Sequence, residues 1–211
     1  MNLEKENNLI DAGVKLPLME DFFTIQGEGF HQGKAAYFIR LGGCDVGCHW
    51  CDVKESWDAE LHPPTTIDKI VENTVKAQSE IVVITGGEPT MYELQPLTEK
   101  LKSQGFQTHI ETSGAYPLTG IWDWVCLSPK KRKLPTATAY QKADELKVVI
   151  YNKHDFKFAE EQAQKVSEDC LLYLQPEWSV REKMIPLIVD YILKNKKWTI
   201  SLQIHKYLNV R

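Results

Sequence analysis

The chain has 211 residues, 43% hydrophobic and 26% charged, the balance of an ordinary soluble globular domain long enough to build one sizeable core. A net charge of −4 excludes the broad basic footprint of a nucleic-acid binder, and no stretch is long and apolar enough for a membrane span. The polar residues 1–8 lack the apolar centre of a signal peptide, and five cysteines do not make a secreted disulfide framework, so a cytoplasmic location is expected.

Residues 1–14 read as a flexible leader ahead of a single domain over 15–211. Residues 18–25 are apolar and strand-like and end in the turn Gln26-Gly27-Glu28-Gly29. That turn serves either as hairpin punctuation or as a polar wall for a ligand. Ala35–Leu41 is the first good strand. Arg40 near its end suits a surface ion pair or a two-bond grip on a carboxylate. Thr66 can cap a helix over about 67–78, whose apolar stripe is Ile67, Ile70, Val71 and Val75. Residues 80–85 form a continuous apolar run typical of a buried parallel strand. It stops at Gly86-Gly87-Glu88-Pro89, where two glycines let backbone approach a ligand and Glu88 offers an acceptor for an ammonium group. A helix is expected over about 91–104, with Leu94, Leu97 and Leu101 on one face.

The pattern repeats. Strands are expected over 106–112, 122–127, 145–151, 170–174 and 198–204, and helices over 155–166 and 180–194, the last kinked or restarted by Pro186. Loops or short turns fill 112–122 and 127–145. A strand-then-helix rhythm implies a mostly parallel sheet, and the polar motifs fall at strand C-terminal ends, where barrel-type folds build their sites. Too few connections hold full helices for eight repeats. The fold class is therefore α/β, a partial (reduced) β/α barrel. Cys126 and Cys170 stand alone in apolar runs and read as buried thiols.

The other three cysteines, Cys44, Cys48 and Cys51, are spaced Cys-x3-Cys-x2-Cys among Gly42, Gly43 and Gly47. The glycines let the loop fold tightly, so three sulfurs can converge. Three thiolates leave a metal position open, and an open position is where chemistry occurs. A zinc knuckle that takes His49 as a fourth ligand is the alternative reading of the same residues.

The cysteine spacing resembles that of the radical S-adenosylmethionine (SAM) enzymes. Further motifs narrow the resemblance: Gln26-Gly27-Glu28-Gly29 ahead of Arg40, Gly86-Gly87-Glu88-Pro89, Ser128-Pro129-Lys130, and the ending Gln203-Ile204-His205-Lys206-Tyr207-Leu208-Asn209. Together they span nearly the whole chain apart from its leader and are similar to the 7-carboxy-7-deazaguanine synthases of queuosine biosynthesis.

That resemblance implies a fold, a reaction and a set of roles. The fold would be the partial barrel of the radical SAM type. The reaction would be ring contraction of 6-carboxy-5,6,7,8-tetrahydropterin to 7-carboxy-7-deazaguanine with loss of ammonia, SAM being regenerated. Cys44, Cys48 and Cys51 would ligate a [4Fe–4S] cluster. Trp50, Cys51 and Asp52 would line SAM beside it. Gly86, Gly87 and Glu88 would receive its ammonium, Ser128, Pro129 and Lys130 would form a second wall, and Gln175, Pro176 and Glu177 would touch its far side. Ile25, Gln26, Gly27, Glu28, Arg40 and Thr85 would contact the pterin, with Gln203, His205 and Lys206 closing over it. A homodimer, an external electron donor such as flavodoxin or ferredoxin, and a Mg²⁺ ion complete the implied set.

One position departs from the family pattern. The residue two places after the last cysteine is Val53, where the family usually has a hydroxyl-bearing Mg²⁺ ligand, and a valine side chain cannot coordinate a hard cation. Two other readings remain: a glycyl-radical activase, which shares the cysteine loop and the glycine turn, and a non-catalytic zinc-binding adaptor.

Overall fold

The computed structural model describes residues 8–211. Residues 1–7 of the expected leader lie outside the described residues. Residues 8–11 form a helical turn, and the Val14 carbonyl accepts the Ile67 amide at 3.1 Å. Nine strands form one sheet: β1 (Lys15–Ile25), β2 (Ala35–Leu41), β3 (Pro64–Thr66), β4 (Ile81–Gly86), β5 (Gln107–Thr112), β6 (Trp124–Leu127), β7 (Glu145–Ile150), β8 (Leu171–Pro176) and β9 (Trp198–Ile200). Their order is β3-β1-β2-β4-β5-β6-β7-β8-β9. From β2 to β9 every pairing is parallel, whereas β1 pairs antiparallel with both β2 and β3. β3 and β9 are free edges, so the barrel stays open, as expected.

Among the described residues six helices connect or follow these strands: α1 (Ile67–Lys76), α2 (Gln95–Ser103), α3 (Ala137–Gln141), α4 (His154–Ala163), α5 (Arg181–Lys194) and α6 (Ile204–Leu208). Strand alternation divides the sheet into two chemically different faces. Ile39, Leu41, Val82, Ile84 and Ile110 face outward and pack with Ile70 of α1 and Leu97 and Leu101 of α2. Leu146, Val148, Ile150 and Leu174 continue that layer against Ala159 of α4 and Met184 and Ile188 of α5. The alternate residues point inward, and many of them are polar.

The first strand starts at Lys15 rather than residue 18, and a short strand, Pro64–Thr66, is additional to the sequence reading; three further differences each have a local reason. The helix expected from residue 91 begins at Gln95, after a 3₁₀ turn over Pro89–Met91. Pro96 explains the delay: its missing N–H costs nothing in a first turn but would break a bond in a helix interior. α5 runs through Pro186 without a break. Pro186 is exposed, so water can satisfy the carbonyl left without a donor. The final strand covers only Trp198–Ile200 instead of 198–204. The last pair is Leu174 with Ile200; the Ser201 amide still reaches the Leu174 carbonyl (2.9 Å), but Pro176, next in β8 to donate, has no N–H to return. The chain then turns inward and forms α6. Among the described residues no helix is long and apolar enough to cross a membrane.

Candidate active site

A cavity of about 260 Å³ opens at the C-terminal ends of the parallel strands. The cysteine loop leaves β2 and forms one wall. Gly43 and Gly47 adopt positive φ, +98° and +64°, which glycine tolerates without a Cβ penalty. Neighbouring backbone fixes the loop in place. The Gly43 amide donates to the Ser56 carbonyl (2.6 Å) and the Cys44 amide to the Trp57 carbonyl (3.0 Å). On the outside, the Arg132 guanidinium donates to the Gly47 carbonyl (2.5 Å), and Lys133 and Tyr116 both hold the Asp45 carboxylate.

The glycine turn after β4 seats directly on this loop. The Gly87 amide donates to the Leu41 carbonyl (2.9 Å) and the Glu88 amide to the Gly43 carbonyl (2.8 Å). A Cβ on Gly86 would fall 2.2 Å from the Leu41 carbonyl oxygen, and one on Gly87 would fall 2.3 Å from the Gly43 oxygen and 2.8 Å from Cys44 Cβ. No larger residue fits at either position. Glu88 is 1% exposed, and its carboxylate accepts five hydrogen bonds: the amides and hydroxyls of Thr90 and Ser113, and the Thr112 hydroxyl. It locks the turn to the end of β5.

Cys44, Cys48 and Cys51 are free, half-buried and line the cavity. Burial pushes the Cys44 and Cys48 thiols above their ordinary value, and the neighbouring thiols add to it. Three thiolates here therefore call for a positive centre that binds them together. Among the described residues no group of three or more His, Cys, Asp or Glu is arranged around a single metal ion. His49 packs edge-on against Tyr151 at 4.9 Å. A lone zinc needs four donors at about 2.0–2.3 Å, whereas a [4Fe–4S] cube takes each thiolate on its own iron. The loop fits the cube. Cys126 and Cys170 are buried in the strand layers, as expected.

The sequence-derived residues converge on this cavity from seven segments of chain. Trp50, Asp52 and Val53 line it beside the cysteines, and Ile25, Gln26, Gly27 and Glu28 from the opposite rim. Arg40 and Thr85 lie at strand ends, Ser128 and Lys130 follow β6, Gln175, Pro176 and Glu177 close β8, and Gln203 and His205 come from the tail. Pro129 and Lys206 do not line it. Pro129 is buried behind the wall, and Lys206 instead grips Asp52 Oδ2 at 2.5 Å. Lys130 bonds the Ser128 carbonyl and hydroxyl, both at 2.6 Å, and its ammonium lies 5.6 Å from the Trp50 ring centre. Gly27 packs against the His205 ring, where a Cβ would come within 1.9 Å of Nδ1. Arg40 faces Glu20 across the β1–β2 register and donates to it through Nε at 2.9 Å. The ion pair and the cavity position coexist.

Sequence reasoning missed the floor. Glu111, Thr112 and Ser113 of β5 and its following turn, Lys147 and Val149 of β7, and Trp178 all line the cavity. Lys147 Nζ donates to Glu28 Oε2 and lies 3.7 Å from Glu111 Oε1. Gln26 Nε2 donates to Glu111 Oε1 (3.0 Å), the Thr85 hydroxyl to Glu111 Oε2 (3.3 Å), and Gln203 Nε2 to Glu28 Oε1 (2.7 Å). One signal was available: Glu145 and Lys147 alternate with apolar residues in a strand whose other face is core.

A cysteine loop seated on a glycine turn, at the open end of a parallel β/α sheet, defines the class of the radical SAM enzymes, and residues 38–125 match the Radical SAM superfamily. Curated relatives are more specific. The chain is 65% identical over 201 residues to the 7-carboxy-7-deazaguanine synthase of Flavobacterium psychrophilum, covering 95% of each chain. It is 33% identical to the Escherichia coli enzyme of the same name, covering 93% of this chain and 100% of that one. The crystal structure of QueE from Escherichia coli superposes with a TM-score of 0.81 at 29% identity, covering 94% of this chain and 98% of the other. The chain belongs to the 7-carboxy-7-deazaguanine synthase family.

Proposed function

We propose that this enzyme contracts the ring of 6-carboxy-5,6,7,8-tetrahydropterin to give 7-carboxy-7-deazaguanine and ammonia. The observation that carries the reading is the composition of one cavity. Its cysteine wall suits a [4Fe–4S] cluster with SAM, and its far side and floor present Arg40, Gln26, Glu28 and Glu111 to a small polar anion. When bound, cluster and SAM supply a 5′-deoxyadenosyl radical; the protein supplies position and shielding.

Cys44, Cys48 and Cys51 hold the cluster. With both oxygens of Glu88 already engaged, the SAM ammonium meets acceptors of the Gly86–Gly87 backbone, and Glu88 fixes that turn. Trp50, Asp52, Ser128 and Lys130 flank SAM, with Gln175, Pro176 and Glu177 opposite. Arg40 takes the substrate carboxylate, since Glu20 occupies its Nε and the guanidinium has further donors. Gln26, Glu28 and Thr85 face the pterin ring. Gln203, His205 and the Lys206–Asp52 pair close the mouth and exclude water.

Val53 lines the same wall, so any Mg²⁺ bound here relies on substrate oxygens and water rather than on that side chain. The chain works as a homodimer in the cytoplasm, where five free thiols stay reduced, and takes its electron from a flavodoxin- or ferredoxin-type carrier. Anaerobic reconstitution with iron and sulfide, followed by turnover with the carboxytetrahydropterin, SAM and reductant, tests the reading. Formation of 7-carboxy-7-deazaguanine with SAM recovered is expected. A reconstituted protein that cleaves SAM yet leaves the pterin unchanged overturns it.

A further inference from the structure

The cavity floor holds a charge cluster that substrate contact alone does not explain. Lys147 sits in the middle of β7 with its side chain 5% exposed. A buried ammonium is costly unless it is paired, and this one is shared between two carboxylates. Glu28 arrives from the turn after β1 and Glu111 from β5, and both line the cavity. Without Lys147 the two carboxylates would share the floor with no cation between them. Burial alone pushes the Glu28 carboxyl up. The Lys147 ammonium and hydrogen bonds from Lys147, Gln203 and Gln175 outweigh burial and hold Glu28 at about 2. Burial in turn pushes the Lys147 ammonium down, and the surrounding acidic groups more than reverse it, leaving it well above its ordinary value.

We propose that Lys147 is a positioning residue: its ammonium fixes Glu28 and Glu111 as two oriented acceptors at the cavity floor and so selects a substrate edge rich in N–H donors. The aminopyrimidinone edge of a pterin or deazaguanine is such an edge, and the inference rests on the function proposed above. Gln26, Thr85 and Gln203 each donate to one of the two carboxylates, so their orientation is already set before a ligand arrives. The remaining titratable groups facing the cluster are Cys126 from β6, Glu145 from β7, Lys130 from the loop after β6, and His205 and Asp52 at the mouth. Burial pushes the Cys126 thiol and the Glu145 carboxyl up and the His205 imidazole and the Lys130 ammonium down. Lys130 is committed to the Ser128 carbonyl and hydroxyl, which leaves Lys147 as the cation bonded to Glu28 and beside Glu111.

A plain structural role is the competing account: Lys147 would merely staple the turn after β1 to the sheet. The two accounts separate on pH. Without the cation the Glu28 carboxyl, which Lys147 holds down, takes up a proton at higher pH than before. Its acceptor form is present above that raised value and lost as pH falls through it. The test uses reconstituted holoenzyme with SAM bound and titrates 7-carboxy-7-deazaguanine calorimetrically across roughly pH 6 to 8.5.

The natural protein should bind with nearly constant affinity over that window. Lys147→Met should bind roughly thirtyfold or more weakly and lose further affinity as pH falls, with SAM affinity unchanged. Lys147→Arg, which keeps the charge, should restore a flat profile. A folded Lys147→Met with unaltered affinity and profile overturns the proposal, as does weaker binding with a flat profile and a lowered melting temperature. If Lys147→Met does not fold, Lys147→Met/Glu28→Gln restores the charge balance. It should give a flat profile with weakened binding, and natural affinity in that variant overturns the proposal. A natural holoenzyme that binds no product instead overturns the pterin reading itself.

Discussion

Replacing Gly87 with alanine tests how tightly the cysteine loop and the glycine turn are fitted. The added Cβ would stand 2.3 Å from the Gly43 carbonyl oxygen and 2.8 Å from Cys44 Cβ. Real contacts do not fall below about 3 Å, so loop and turn must separate by roughly 0.7 Å or more. The obstructing atoms are backbone and the Cβ of Cys44, not the free end of a flexible side chain. Separation also stretches the Glu88 amide bond to Gly43, 2.8 Å in the natural protein. Overpacking of this kind costs about 1–3 kcal/mol, a melting shift of about 2–12 °C for a chain of this size. Gly105→Ala is the matched control. Its φ of +85° strains an alanine, but nothing lies within 4 Å of the new Cβ, and the site is remote from the cavity. That variant should lose about 1 kcal/mol and keep its cluster. Iron and sulfide content, SAM affinity by anaerobic titration and melting are measured on both. Gly87→Ala should show at least a tenfold loss of SAM affinity, roughly 1.4 kcal/mol, or incomplete cluster loading. Natural values for both in Gly87→Ala would refute the argument that loop and turn form one fitted unit.

Cys44→Ala should lose the cluster, read by iron analysis and visible absorbance, while Cys126→Ala and Cys170→Ala keep it, because those two thiols sit in the strand layers. Arg40→Lys should keep the Glu20 ion pair but lose the planar fork, weakening substrate binding by about 2–5 kcal/mol with SAM affinity unchanged; equal substrate affinity would remove the carboxylate clamp. Val53→Thr should raise the dependence of turnover on Mg²⁺ at almost no cost in volume. A steep requirement in the natural protein, identical in the variant, would show that the missing hydroxyl has no effect.

The parts of the site legible in the sequence are those fixed by short-range geometry. Cys44, Cys48 and Cys51 declare themselves because three sulfurs and their glycines lie within one loop, and Gly86-Gly87 because a strand end needs room. Thr66 was readable as a cap, and its hydroxyl accepts the Lys69 amide at 3.3 Å. What stayed hidden depends on register between distant strands. The pairing of Glu20 with Arg40 follows from the β1–β2 ladder. The meeting of Lys147 with Glu28 and Glu111 requires β5, β7 and the turn after β1 to present the same inner face. Spacing along the chain contains no trace of that meeting. The shortened last strand had a similar origin, since β9 stops where its register brings Pro176, which has no N–H to donate, opposite the chain after Ile200.

The way the mouth of the cavity is closed has a kinetic consequence. From β4 to β9 each strand docks beside its predecessor in the chain, so most of the sheet can grow by short loop closures. The contacts that seal the cavity are of another kind. The Ile204 amide reaches the Gly27 carbonyl, and the Gln203–Glu28 and Lys206–Asp52 pairs span 175 and 154 residues. Closures over such separations come late in folding. The Gly43–Ser56 and Glu88–Gly43 bonds that seat the cysteine loop close over far shorter separations, so the loop should form while the tail side of the pocket is still open. The cysteines should then be reachable from solvent in the interval before Lys206 settles on Asp52. The same interval is when oxygen can reach them, so exposure to air during refolding should be more damaging than exposure of the finished enzyme.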